Sequence, residues 1–174
     1  TSAKSNLDLI DCADAFLTAQ GAATRRTVNA EGTKANLFAT LGPAIPGGVV
    51  LSGHSDVVPV DGQIWDSDPF ALRRAGDRLY GRGTSDMKGF IAAVLARVPA
   101  MQNAGLVKPI HIALTYDEEV TCLGAAQLAA DITANLPLPE IVIIGEPTMM
   151  TIINGHKGAT SLVTRVKGIP AHSS

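Results

Sequence analysis

Cysteine is scarce in this sequence. Cys12 and Cys122 lie far apart with no CxxC or Cys/His ladder between them, which excludes a disulfide framework and a structural zinc knot and leaves free thiols in a reducing compartment. Charge is scarce as well: 17% of the 174 residues are charged and the net charge is −2. No run of Lys and Arg follows one periodic face, so the footprint of a phosphate-backbone binder is missing and nucleic acid is not an expected partner. Apolar stretches break well before the roughly 20 residues that a membrane span needs. The opening TSAKSNLDLID lacks the basic, apolar, small-residue order of a signal peptide, so a cytoplasmic location and no membrane partner are expected. No repeat or low-complexity segment is visible. What is present is apolar content, 46%, enough for one soluble globular unit with a sizeable core. Both ends read as cut: the chain opens directly on an amphipathic pattern and closes on VTRVKGIPAHSS with no terminal element, as a fragment of a longer protein would.

Periodicity predicts the elements. Leu7, Ile10, Ala13 and Leu17 recur at near-helical spacing within 6–20, and Gly21 ends the run as a C-terminal glycine does. Strands are predicted over 24–29, 35–41 and 48–51. Met87, Ile91, Val94, Leu95 and Val98 then mark a helix stopped at Pro99 or shortly after it. A strand over 110–116, an Ala-rich helix over 123–132 and a short, fully apolar strand over 141–144 follow. Alternating strands and helices imply an α/β fold, a mixed and largely parallel sheet flanked by helices and covered on both faces. After Glu146-Pro147 the texture changes. Two strands, 150–154 and 159–167, are predicted with no helix between them, so residues 1–157 are expected to form one domain and 158–174 the beginning of an antiparallel second one.

The unusual polar residues follow the predicted strands. His54 and Asp56 come after the strand of 48–51, Asp117, Glu118 and Glu119 after that of 110–116, and Glu146 after that of 141–144. Asp86 stands where GRGTSD meets its helix. In open α/β sheets ligands sit outside the carboxyl ends of the strands, so these groups fall on one functional edge. Imidazole and carboxylate suit a divalent metal pair, with one carboxylate bridging, and the gathered acids need cations to offset their repulsion. Neighbours in an extended segment point to opposite sides, so one member of Glu118-Glu119 could bind metal while the other takes a proton from water. Each residue taken alone also has a plainer reading: Glu119 and Glu146 as turn residues, Asp86 as a helix N-cap. His111, alternating with Ala113 and Thr115, reads as structural. A nucleotide loop is excluded in GRGTSDMKG, because Lys88 is not followed by Ser or Thr and Asp86 takes the place of the third glycine.

Five ordered motifs, SGHSDVVPVDGQIWDSDPF, LYGRGTSDMKGFIAAVLA, LTYDEEVTCLGA, IIGEPT and KGIPAHSS, resemble the zinc-dependent aminoacylase and carboxypeptidase family. NAEGTKANLFATLGP and YDEEVTCLG favour its N-acetylornithine-deacetylating members over its desuccinylases. The resemblance implies a zinc-peptidase-like catalytic domain followed by the start of a lid and dimerisation domain. It implies two Zn2+, with Co2+ or Mn2+ as substitutes, a small acyl amino acid as substrate and a homodimer of the full-length protein. His54 and Glu146 would then hold the first metal, Glu119 the second, and Asp86 would bridge them. Asp56 would orient His54, and Glu118 would be the general base. The resemblance further implies a cis Asp86-Met87 peptide. It makes His172 of PAHSS the lid histidine that steadies the oxyanion across a dimer interface; the alternative is a solvated side chain near the chain's end. The family's fifth ligand has no counterpart here, so weak binding of the second metal and little activity are expected. A desuccinylase, a dipeptidase and a non-catalytic binding module are the competing readings.

Overall fold

The computed structural model describes residues 1–158, 160 and 162–169. Helix α1 (Leu7–Ala19) buries Ile10, Ala13 and Leu17, the predicted stripe. It ends in a Schellman turn: the Gly21 N–H donates to Thr18 O at 2.9 Å and the Ala22 N–H to Leu17 O at 3.0 Å, with Gly21 at φ +81°. Strands β1 (Ala23–Val28), β2 (Ala35–Leu41) and β3 (Val49–His54) follow, then a small hairpin of β4 (Arg73–Ala75) and β5 (Arg78–Tyr80). Helix α2 (Lys88–Gln102), strand β6 (Ile110–Thr115), helix α3 (Leu123–Asn135) and strand β7 (Ile141–Ile144) complete the order.

The main sheet runs β1-β2-β6-β3-β7. β2 is antiparallel to both β1 and β6, whereas β3 is parallel to β6 and to β7, so β2 alone opposes the other four strands. The sheet is therefore mixed and largely parallel, and helices flank it. Alternation along the strands divides two cores. Leu37, Ala39, Leu41, Ile112 and Leu114 pack with Ile10 and Leu17 of α1 and Ile91, Val94 and Val98 of α2. Phe38, Val50 and Ala113 face the other way, onto Leu128 of α3. The parallel register pairs His54 with Thr115 and Ser52 with Ile144, so β3, β6 and β7 all deliver their following loops to the same edge.

Several expectations need correction. β3 continues three residues past Leu51, because the ladder with β6 holds to His54. α2 ends at Gln102, three residues past Pro99, which agrees with the expected stop at or shortly after that proline, and Val98 and Met101 still pack onto the core. Among the described residues β7 is paired on one side only and keeps all four apolar side chains about half exposed, so the described residues do not cover both faces of the sheet there. No strand forms over 150–154, where Met150 and Ile152 are almost fully exposed and find no ladder partner among the described residues. The described members of 159–167 likewise carry none. The β4-β5 hairpin was not anticipated, although its Gly76-Asp77 pair, with Gly76 at φ +59°, is a two-residue hairpin signal.

Gly124 lets α3 start hard against the end of β6. A Cβ there would lie 2.3 Å from Tyr116 O and 2.7 Å from Tyr116 N. Backbone cannot yield as a side-chain tip can, so Gly124→Ala is expected to cost about 3 kcal/mol, at the upper end of overpacking losses, read as a lower melting temperature.

Candidate metal centre

His54 closes β3 with its imidazole 2% exposed. Its Nδ1 lies 3.0 Å from the main-chain oxygen of Asp56, which can only accept, so Nδ1 carries a proton and the acidic cluster faces Nε2. Around Nε2 stand Asp86 Oδ1 at 3.0 Å, Glu146 Oε1 at 3.6 Å and Glu118 Oε2 at 3.7 Å. These three carboxylates come from the loop before α2, the loop after β7 and the loop after β6. Their side chains are 48, 36 and 41% exposed, so a buried nitrogen looks out through a ring of acids open to solvent. Glu119 completes the cluster. The ligand atoms of His54, Asp86 and Glu119 lie within 4.8 Å of one another, and so do those of His54, Glu118 and Glu146.

Asp56 is the organiser behind the ring. Its Oδ1 is 3.5 Å from His54 Nδ1 and accepts the Glu118 N–H at 3.1 Å, while its Oδ2 accepts the Glu119 N–H at 3.2 Å and the Ser2 hydroxyl at 2.7 Å. Burial alone would raise its carboxyl pKa. The hydrogen bonds from His54, Ser2 and the two amides outweigh that and hold it well below the usual range.

The Glu118-Glu119 pair does not sit in an extended segment. Asp117 adopts φ +57° and a turn follows, so the two carboxylates do not diverge as strand neighbours would and both gather near His54. Asp86 does not cap α2, whose N-cap is Met87; its carboxylate contacts the imidazole instead. The Asp86-Met87 peptide is cis. His111 is buried, stacked on Phe38 and bonded through Nδ1 to Thr40 Oγ1 at 2.9 Å, far from the cluster along its strand. His172 lies outside the described residues. Ser2 and Lys34, which the sequence reading missed, join this network, and no local motif marks either of them.

The donor set fits a divalent cation. Among the described residues, Asp86, Glu118 and Glu146 have His54 as their only ion-pair partner, and no Lys or Arg comes within 4.0 Å of them or of Glu119. Burial pushes the carboxyls of Glu119 and Glu146 up, the charge of Asp86 adds to this, and His54 opposes it. Burial lowers the His54 pKa, but the hydrogen bond and charge of Asp56 and the charges of Glu118 and Glu146 more than reverse this and raise it to about 9. One imidazole nitrogen and several crowded carboxylate oxygens are the donors that zinc and similar ions take.

Fold and donor set together define a class: an α/β unit with a candidate metal-binding cluster gathered at its strand ends. Residues 50–158 match Peptidase family M20/M25/M40, and the chain belongs to that family. Among its relatives is the acetylornithine deacetylase of Photorhabdus laumondii subsp. laumondii, 44% identical over 141 residues, which cover 81% of this chain and 36% of that protein. The acetylornithine deacetylase of Aliivibrio salmonicida is 45% identical over the same share of each. Human carnosine dipeptidase 1 superposes with a TM-score of 0.65 at 26% identity, over 78% of this chain and 31% of that one. The metallo-carboxypeptidase Sso-CP2 of Sulfolobus solfataricus shares the fold, with a TM-score of 0.62 at 22% identity over 78% of this chain and 32% of that one. The chain thus spans about a third of the length of these relatives.

The raised His54 pKa carries a stability consequence. After chelation, the stabilisation from its imidazolium is fully present below pH 6.5 and is lost as pH rises through about 9, and the raised carboxyls of Glu119 and Glu146 act in the same direction. Melting of the chelated chain should fall between pH 6 and 9.5, by on the order of 3 kcal/mol of stability, and His54→Gln should flatten the slope.

Proposed function

We propose that residues 1–157 are the metal-binding catalytic part of a dinuclear zinc amidohydrolase that removes the acyl group from an Nα-acyl amino acid. N-acetylornithine, yielding ornithine and acetate in arginine biosynthesis, is the proposed substrate. The observation that carries the reading is the ring of carboxylates around His54 Nε2, with no Lys or Arg among the described residues in an ion pair with any of them. The substrate choice is supported by relatives at 44 and 45% identity that bear the name acetylornithine deacetylase. Residues 158–174 are proposed to begin a lid and dimerisation domain, the full-length protein to be a homodimer, and its location to be the cytoplasm. The free Cys12 and Cys122 suit that compartment, and no helix among the described residues is long and apolar enough to cross a membrane.

In this reading His54 and Glu146 would hold one ion, Glu119 the other, and Asp86 would be shared between them. Bound there, zinc polarises the amide carbonyl and makes water a better acid near neutral pH. Asp56 keeps the His54 ring oriented through Nδ1, as the partner of a metal-ligating histidine does. Glu118 is the base: its carboxylate takes the proton from the attacking water and delivers it to the departing amine nitrogen. Its 41% exposure leaves it reachable by substrate, whereas His54 is sealed from solvent. Co2+ and Mn2+ satisfy the same donors.

Calorimetric titration of the chelated chain with zinc should show one firm site and a weaker second one, the latter having no histidine donor among the described residues. Turnover of N-acetylornithine by this chain is expected to be low, but higher than that of N-succinyl-diaminopimelate or a dipeptide. Glu118→Gln should lower it by at least about 10²-fold with bound zinc unchanged. Absence of zinc binding, or undiminished turnover in Glu118→Gln, overturns the assignment.

A further inference from the structure

The Glu118-Glu119 pair hangs from a single residue in an uncommon conformation. Asp117, at φ +57°, lies in the left-handed region that a non-glycine residue enters only at a cost, least for Asp and Asn. Behind it the two amides of the pair are fixed on Asp56. In front, the Asp117 carboxylate is taken by Lys34 Nζ at 2.5 Å, an ion pair whose side chains are only 15 and 16% exposed. Lys34 Nζ also donates to Ser2 O at 2.5 Å, and the Ser2 hydroxyl donates to Asp56 Oδ2. A closed circuit results, running from Asp56 through Ser2, Lys34 and Asp117 back to the two amides that Asp56 holds.

Lys34 is itself firmly seated. Its N–H donates to Asn29 Oδ1 at 2.8 Å, and the next residue, Ala35, is gripped by Asn6 on both its N–H and its carbonyl. Asn6 Nδ2 also donates to Ser55 Oγ, and Ser55 Oγ donates to Thr115 O, so the anchor is tied to the ends of β3 and β6 that present the cluster. A lysine just before β2 thus pairs with the side chain of the left-handed residue that leads into Glu118 and Glu119.

We propose that Lys34 is a positioning residue for the Glu118-Glu119 pair, holding the left-handed turn at Asp117 through its ion pair so that both carboxylates meet His54. The proposal rests on the metal-hydrolase reading for what the pair does, but the geometry it asserts belongs to the chain alone. Two readouts keep the two apart: hydrogen exchange at the Glu118 and Glu119 amides in the chelated chain, and Co2+ affinity with the absorption spectrum of the bound ion.

Lys34→Met should speed exchange at both amides about tenfold, weaken Co2+ binding about tenfold and alter the spectrum, while Lys34→Arg, which keeps the charge, restores most of each. If Lys34→Met fails to fold, Asp117→Ala, which removes the anchored carboxylate, is expected to show the same changes. Unchanged exchange and Co2+ affinity beside a lowered melting temperature would make the ion pair merely structural and overturn the proposal. A wild-type chain that binds no Co2+ would overturn the metal reading, and the exchange result alone would then decide the role of Lys34.

Discussion

The arrangement depends on one electrostatic fact: four carboxylates converge on the single buried imidazole of His54, and among the described residues no Lys or Arg forms an ion pair with them. Crowded acids in partial burial repel unless a proton or a cation intervenes. The chain answers first with the imidazole, whose pKa the acids raise to about 9, and with carboxyls at Glu119 and Glu146 that hold their protons more tightly than usual. A divalent ion answers the same repulsion more completely, because it offers two charges and accepts several oxygens at once.

The sheet exists in the form that makes this convergence cheap. β3, β6 and β7 are parallel and in register, so each ends at the same edge, and each is followed by one part of the cluster. Parallel strands need crossovers, and α2 and α3 supply them while burying the two faces of the sheet centre. The precision lies in Asp56, which reaches back to His54 and forward to the amides of Glu118 and Glu119. It couples the end of β3 to the turn after β6, so cluster residues from different strands share one anchor.

Much of this was legible in the residues. The stripe Ile10, Ala13, Leu17 and the glycine after it mark α1 to within a residue at each end, and the bounds of β2 and β7 follow from apolar runs punctuated by Gly and Pro. These are local properties of backbone and side chain, so short-range pattern reveals them. Other features escaped for a common reason, that their causes lie far away in sequence. β3 extends to His54 because β6 is there to pair with it, 61 residues on in the register of His54 with Thr115. The strand expected over 150–154 finds no partner among the described residues and does not form.

By itself, the sequence determined that the chain forms an α/β sheet and which residue types stand at its strand ends, because periodicity and the chemistry of His, Asp and Glu are written locally. Only the tertiary structure decided that Asp86 turns to His54 rather than capping α2, that Glu118 and Glu119 face the same imidazole, and that Lys34 grips Asp117 from 83 residues away. Those outcomes depend on which distant groups share a few ångströms, and a charge finds its partner only once the chain has folded around both.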